Sequence, residues 1–351
     1  MSDALLETFS LGAPPWPTVD PFLFCVHHLD HYPAGDGRFA PAASLEGRNI
    51  GSDFSNTDGW SMYHGQIAPG FPQHPHRGFE TVTFVRRGLI DHSDSLGASA
   101  RYGNGDVQWM TAGAGIVHAE MFPLLNHEGS NTAEFFQIWV NLRATEKFAT
   151  PHFLMLWGED IPIVTFRDGS GRATEVTVAA GSLDGNAAPT PPPASWATKP
   201  NSDVAIWRIA MDPGATWTLP ASQGTETLRV LYVFEGNGLT VQDEQLGGGR
   251  GALLRGPQDV TLVAGDTEVQ MLMLQGAPIG EPVVQYGPFV MNDRAGIEQA
   301  FADYRRTGFG GWPWPVDDPV HGYEGRFARR ADGTVERPPS AFSVPQPPLR
   351  P

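Results

Sequence analysis

Gly70-Phe-Pro-Gln-His-Pro-His76 leads into Glu80-Thr-Val-Thr-Phe-Val85 and stops at Gly88. The β-branched residues of the second run favour extended backbone, and Gly88 marks a turn. In an extended chain, side chains two apart share a face. His74 and His76 can therefore aim at one point. A second run of this kind, His118-Ala119-Glu120, follows the turn and strand Gly113-Ala-Gly-Ile-Val117. The two runs are distant in sequence, so a fold has to bring them together.

The neighbouring segments repeat the pattern. Gly103-Asn-Gly-Asp106 is a turn before Val107-Gln-Trp-Met110. Phe135-Phe-Gln-Ile-Trp-Val-Asn-Leu142 is long enough to cross a sheet, with Phe135, Gln137, Trp139 and Asn141 on one face. Strong helical periodicity is missing through this region. Short strands at regular spacing with turns between them predict an all-β, antiparallel sandwich or barrel.

A weaker copy lies further on. Gly214-Ala-Thr-Trp-Thr-Leu-Pro220 leads into Thr227-Leu-Arg-Val-Leu-Tyr-Val-Phe234 and Gly236. Thr216, Thr218 and Pro220 stand where the first copy has histidines. Asp259-Val-Thr-Leu-Val-Ala-Gly-Asp266 and Val269-Gln-Met-Leu-Met-Leu-Gln275 contain no His or Glu pair at the ligand spacing. Two similar β domains are expected, only the first equipped for metal. The expected division is an irregular N-terminal segment at 1–20, a metal-binding domain at 21–150 and a second domain without a metal site at 151–292. The second domain carries a Pro-rich insertion at about 186–200, including Pro189-Thr-Pro-Pro-Pro193. Residues 293–351 read as a helix followed by a loosely ordered Pro/Trp-rich tail. Asn292 or Asp293 can cap that helix, Ile297, Phe301 and Tyr304 follow at helical spacing, and Gly308 stops it.

With 23 basic and 39 acidic residues the net charge is −16. That weighs against direct binding to nucleic acid or to anionic membranes, which need their phosphates neutralised. The single cysteine, Cys25, excludes an internal disulfide and CxxC zinc sites. It sits in an apolar run and reads as core. No secretory leader pattern and no apolar stretch approaching the ~20 residues of a membrane helix is present, so the expected location is the cytoplasm.

His27, His28, His31, His64, His92, His127, His152 and His321 are read as core, cap or surface residues. His74, His76, His118 and Glu120 are read as metal ligands. Three imidazoles and a carboxylate suit a first-row transition metal, with Fe(II) a good candidate and Ni, Mn, Cu, Co or Zn able to occupy the same ligands. Strand parity alone also admits Glu80.

The stretch His74-Pro-His-Arg-Gly-Phe-Glu80 resembles the first motif of cupins, and Gly105 to His118 resembles the second. The likeness is closer to the pirin family. It is carried by His74 to Val82, Asp94-Ser-Leu-Gly97, Asp106-Val-Gln-Trp-Met-Thr-Ala-Gly113, Gly115-Ile-Val-His118, Glu120-Met121 and Tyr286-Gly-Pro-Phe-Val-Met-Asn292. It covers roughly residues 20 to 310. The resemblance implies two jelly-roll β-barrel cupin domains in tandem with a short C-terminal helix. It implies His74, His76, His118 and Glu120 as ligands of iron, leaving Glu80 in a supporting role with Arg77 as its suggested partner. The implied activity is quercetinase-like: an Fe(II) dioxygenase using O2 on a small aromatic or enol substrate such as a flavonol. Glu120 would be the catalytic residue, accepting the substrate's proton, among aromatic neighbours such as Phe79, Trp109 and Trp139. The alternative it implies is a non-enzymatic, redox-sensitive regulator that binds a partner protein. A monomer is the expected state.

Overall fold

The computed structural model describes residues 4–339. The chain forms two compact units. One comprises 1–26, 138–143 and 160–281; the other comprises 27–137, 144–159 and 282–351. Both are built of antiparallel strands, and each has its own apolar core.

In the histidine-bearing unit, a six-stranded sheet runs in the order Val335–Glu336, Phe327–Arg329, Ser99–Gly103, Leu89–Asp94, Ile116–Met121, Gly70–His76. A second sheet orders His152–Leu156, Val107–Thr111, Phe79–Arg87, Asn131–Asn141 and Phe22–Tyr32, of whose last two strands residues 131–137 and 27–32 belong to this unit. Val85, Ile90, Ala100, Tyr102, Met110, Ile116, Phe122 and Phe135 fill the core of this unit. Alternation does the sorting, because successive side chains in a strand take opposite faces.

The other unit has a seven-stranded sheet ordered Leu5–Ser10, Arg250–Arg255, Leu228–Glu235, Val269–Gly276, Ala205–Met211, Ala173–Ala180, Ile163–Arg167. A four-stranded sheet accompanies it, ordered Thr216–Leu219, Val260–Ala264, Leu239–Val241, Glu244–Leu246. Its core is aliphatic and sulfur-rich, with Leu231, Val233, Met271, Met273, Trp207, Ile209 and Leu262. At seven such large side chains of ~1.5–3 kcal/mol each, burial here stabilises by on the order of 10–20 kcal/mol before chain entropy opposes it.

The first twenty residues are not wholly irregular. Leu5–Ser10 is a strand whose partner is Arg250–Arg255, Leu5 opposite Leu254 and Ser10 opposite Arg250. Leu-Leu-Glu-Thr-Phe-Ser contains no Pro, and pairing satisfies its backbone groups. Cys25 is buried, and burial pushes its thiol up. The Pro-rich stretch lies within one unit. It begins in the Ser182–Leu183/Asn186–Ala187 hairpin and ends in a 3-10 turn at Trp196–Thr198, capped by Ser195 accepting from the Ala197 N–H.

The helix spans Arg294–Thr307. Asp293 caps it by accepting from the Gly296 N–H at 2.7 Å, and Gly308 ends it in the left-handed region at φ 56°. Its buried face, Ile297 and Ala300, packs on Val117, Phe289, Met291 and Phe309. Beyond it, Trp312 packs against the same apolar cluster. Residues 312–329 run as a strap along the histidine-bearing unit. The Trp314 indole N–H donates to the Asp94 carbonyl at 2.8 Å. Arg101 donates to the Gly322 and Glu324 carbonyls, and Phe327–Arg329 joins Ser99–Gly103 as a strand. These partners lie far from the strap in sequence, so its local composition does not announce them. Residues 340–351 of the expected tail lie outside the described residues.

Candidate metal centre

Ile116–Met121 is the strand that assembles the centre. Gly70–His76 pairs with it on one side, placing His74 opposite His118, with a register shift between Phe71 and His74. Leu89–Asp94 pairs on the other side, placing His92 opposite Glu120 and Asp94 opposite His118. Each of His74, His76 and His118 offers a ligand atom, and all three atoms lie within 4.8 Å of one another. The ring centroids are 4.4 Å apart for His74 and His118, 4.8 Å for His74 and His76, and 4.9 Å for His76 and His118.

Burial sets the protonation of these rings. Desolvation penalises the imidazolium, so His74 is lowered to about 4, and His76 and His118 are lowered well below the usual imidazole range. All three are neutral near pH 7, the form that binds metals. His74 Nδ1 lies 2.9 Å from the Pro72 carbonyl. A carbonyl only accepts, so Nδ1 carries the proton and Nε2 keeps its lone pair for the centre. His118 is 0% exposed, and among the described residues neither of its ring nitrogens has a hydrogen-bond partner. An imidazole stripped of water and given nothing in return is costly. A metal ion bound at one of these nitrogens would remove much of that cost, so the residues fit the group.

Glu120 sits beside the imidazoles, with Oε2 3.9 Å from His118 Nε2. Burial raises its carboxyl to about 7, against the lowering influence of His92 and of the Thr83 hydroxyl. Thr83 Oγ1 lies 2.7 Å from Gln137 Oε1 and 3.3 Å from Glu120 Oε1. A hydroxyl has one proton to donate. Gln137 and Glu120 therefore share it, with the shorter contact at Gln137.

Glu80 lies outside this group. Its Oε1 accepts from the Thr111 hydroxyl at 2.7 Å, and it takes the face of Phe79–Arg87 opposite to Thr83. The parity argument fails because the chain turns at Arg77-Gly78. Gly78 has φ 85°, and a Cβ there would lie 2.0 Å from the Val290 carbonyl oxygen. Arg77 does not pair with Glu80 either. It bonds Asp303 at 2.8 Å and the Ala114 carbonyl at 2.7 Å.

Of the expected aromatic neighbours, Phe79 stands 5.1 Å from the His76 ring. Trp109 pairs with Val82, on the face away from Thr81 and Thr83. Trp139 stacks on Phe24 at 4.7 Å. Phe71, 6.3 Å from His74, is a neighbour the sequence did not indicate.

His92, read from sequence as an ordinary histidine, is buried 5.5 Å from the His118 ring, with Nε2 3.1 Å from Asp94 Oδ2. The signal was available: His92-Ser93-Asp94 has the same spacing of two inside a strand. The strap reaches the same strands. The Gln73 N–H, one residue before His74, donates to the Asp317 carbonyl at 2.8 Å, and the Gln73 amide donates to the Asp317 carboxylate at 2.7 Å. His321 Nε2 lies 2.8 Å from the His92 carbonyl.

Known proteins with this combination are recognisable. Residues 41–140 match the family model described as pirin, and residues 206–310 match the pirin C-terminal cupin domain. A Pseudomonas aeruginosa protein named "Putative quercetin 2,3-dioxygenase" is 38% identical over 240 residues, covering 68% of this chain and 79% of the relative. Human pirin is 34% identical over 269 residues, covering 74% of this chain and 86% of the relative. The crystal structure of a quercetin 2,3-dioxygenase from Acinetobacter baumannii superposes with a TM-score of 0.68 at 26% identity, covering 88% of this chain and 98% of that one.

Proposed function

This chain belongs to the pirin family of two-domain cupin proteins, and on that premise we propose that it is a quercetinase-like, metal-dependent oxidoreductase. In this reading His74, His76, His118 and Glu120 hold a divalent transition metal, Fe(II) first among the candidates. The substrate is a flavonol or a related enol, and O2 is the oxidant. The observation that carries the proposal is the buried His118 ring, both nitrogens without a partner among the described residues, facing two further neutral imidazoles and a carboxyl raised to about 7.

A metal held by these residues would supply Lewis-acid and redox chemistry toward an enol substrate and O2. The protein supplies the rest. His74 is oriented through its Nδ1–H bond to Pro72. Glu120, when released from the metal, would be the carboxylate placed to accept the proton of the substrate hydroxyl and give it back. Thr83, itself bonded to Gln137, holds the carboxyl in place. Phe71, partly exposed beside His74, offers apolar surface suited to a flat aromatic substrate, and Phe79 is packed beside His76.

The test is anaerobic reconstitution with Fe(II) followed by O2 uptake in the presence of quercetin. Sustained uptake over many turnovers, lost in His118→Ala, is expected. Stoichiometric iron with no uptake on quercetin or simpler enols would overturn the enzymatic reading. Full iron content and activity in His118→Ala would overturn the ligand assignment.

A further inference from the structure

In the unit without the histidines, three inward-facing rows end in polar residues. Leu228–Glu235 presents Val233, Leu231 and then Arg229; Val269–Gly276 presents Met271, Met273 and then Gln275. The row of Ala205–Met211 presents Ile209, Trp207 and Ala205, with Asp203 just beyond. Arg229, Gln275, Asp203 and Trp207 line a cavity of about 490 Å³ whose rim includes Lys199 and Ser182. That volume falls in the ~300–1,000 Å³ range of small-molecule sites.

Arg229 is 1% exposed, and among the described residues no carboxylate hydrogen-bonds its guanidinium. Nε donates to Gln275 Oε1 at 2.6 Å, Nη2 to the Pro220 carbonyl at 2.6 Å, and Nη1 to the Gln258 carbonyl at 3.5 Å. All three acceptors are neutral. A guanidinium has five N–H donors, so two have no acceptor among the described residues. The nearby carboxylate is committed elsewhere. Asp203 Oδ2 accepts from the Gly224 N–H and the Thr227 hydroxyl, and Oδ1 accepts from the Gln275 amide. Burial pushes the guanidinium down to about 10, opposed by Asp203 and Asp259, which leaves it charged at neutral pH. A purely structural role, tying the Pro220 and Gln258 loops to the barrel, explains the three bonds. It does not use the two remaining N–H donors of a guanidinium that borders a cavity.

We propose that this cavity is a second ligand site, which takes a small carboxylate on the Arg229 guanidinium. The planar fork matches a carboxylate with two parallel N–H···O bonds. A singly charged ligand adds less negative charge beside Asp203 and Asp259 than a phosphate dianion does. The site is independent of the metal centre and of the activity proposed for it.

The test is equilibrium dialysis of the full, metal-loaded chain against radiolabelled acetate, with unlabelled phosphate as competitor. One saturable acetate per chain is expected. Its affinity should fall at least tenfold in Arg229→Lys, which keeps the charge and loses the fork. Ser182→Trp, at an exposed rim position clear of the guanidinium network, fills the mouth and should weaken binding as well. Circular dichroism establishes that each variant is folded. In His118→Leu, binding should be unchanged. No saturable acetate in the wild type overturns the proposal, as does unaltered affinity in both cavity variants. Loss of binding in His118→Leu would place the acetate at the metal instead, and displacement by phosphate at lower concentration than by acetate would overturn the ligand class.

Discussion

Inside the unit of residues 160–281, Leu228–Glu235 turns Leu231 and Val233 inward to meet Met271, Met273 and Trp207. In the histidine-bearing unit, Phe79–Arg87 has Thr81 and Thr83 in its row, and Thr83 meets Glu120 and Gln137. The first interior is closed by apolar contact and confines its polar residues to one end. The second keeps three imidazoles and a carboxyl where apolar packing would be more stable. The difference teaches how one scaffold divides its labour: stability comes from filling the barrel, and chemistry comes from leaving part of it polar.

Exchanging side chains tests that division. Leu231→Ala should cost about 2–5 kcal/mol in denaturant unfolding, as expected for a buried Leu, while leaving the metal stoichiometry unchanged. A matching loss of metal would show that the two interiors are not separable. His118→Leu should do the reverse. It should weaken metal binding by more than about 100-fold, since even residues that merely support metal ligands cost ~10–100-fold. The metal-free protein should melt higher, because two buried ring nitrogens without partners disappear. A lower melting temperature of the metal-free variant would mean that the polar interior is not a cost to the fold.

Proton counting sharpens the comparison further. In the metal-free protein Glu120 is raised to about 7 while the three imidazoles are lowered. At about pH 6 the carboxyl is protonated and the imidazoles are neutral, so metal uptake should release about one proton. At about pH 8.5 it should release almost none. Calorimetry in buffers of different ionisation enthalpy reads this directly, and equal release at both pH values would contradict the raised carboxyl. The stability sign follows from the same shift. Between the ordinary carboxyl value of 4.5 and about 7 the folded, metal-free state holds more protons, so this group's contribution declines as pH rises through that window.

The smallest expected effect lies at the strap. Asp317→Ala removes the side-chain bond to Gln73 and should cost about 0.5–1.5 kcal/mol, seen as a few-fold faster metal loss to a chelator. No change in that rate would confine the strap to the outer surface of the fold.

Legibility in the sequence followed locality. His74/His76 and His118/Glu120 could be read because each pair lies within one strand, where parity holds. The helix could be read because Asp293 and Gly308 act on their immediate neighbours. Glu80 was ambiguous because parity does not survive the turn at Gly78. The Leu5–Ser10 strand and the hydrogen-bond partners of the strap are not legible locally, because they pair with residues more than two hundred positions away. Trp139 was assigned to the site from its strand alone, yet Phe24 is what it stacks on. Such long-range pairings depend on topology that no short window contains.

The contact between Gln73 and Asp317 also has a consequence for biosynthesis. Translation delivers His74 and His76 early and residue 317 late. At ~5–20 residues per second the interval is on the order of tens of seconds. Throughout it, Gly70–His76 lacks the strap partner that its Gln73 N–H has in the finished protein. An unpaired strand edge is a template for pairing with other chains. The ribosome-bound nascent chain is therefore the stage at which this protein is most exposed to mispairing. The edge strand that carries His74 and His76 gains this contact only once residue 317 has been synthesised.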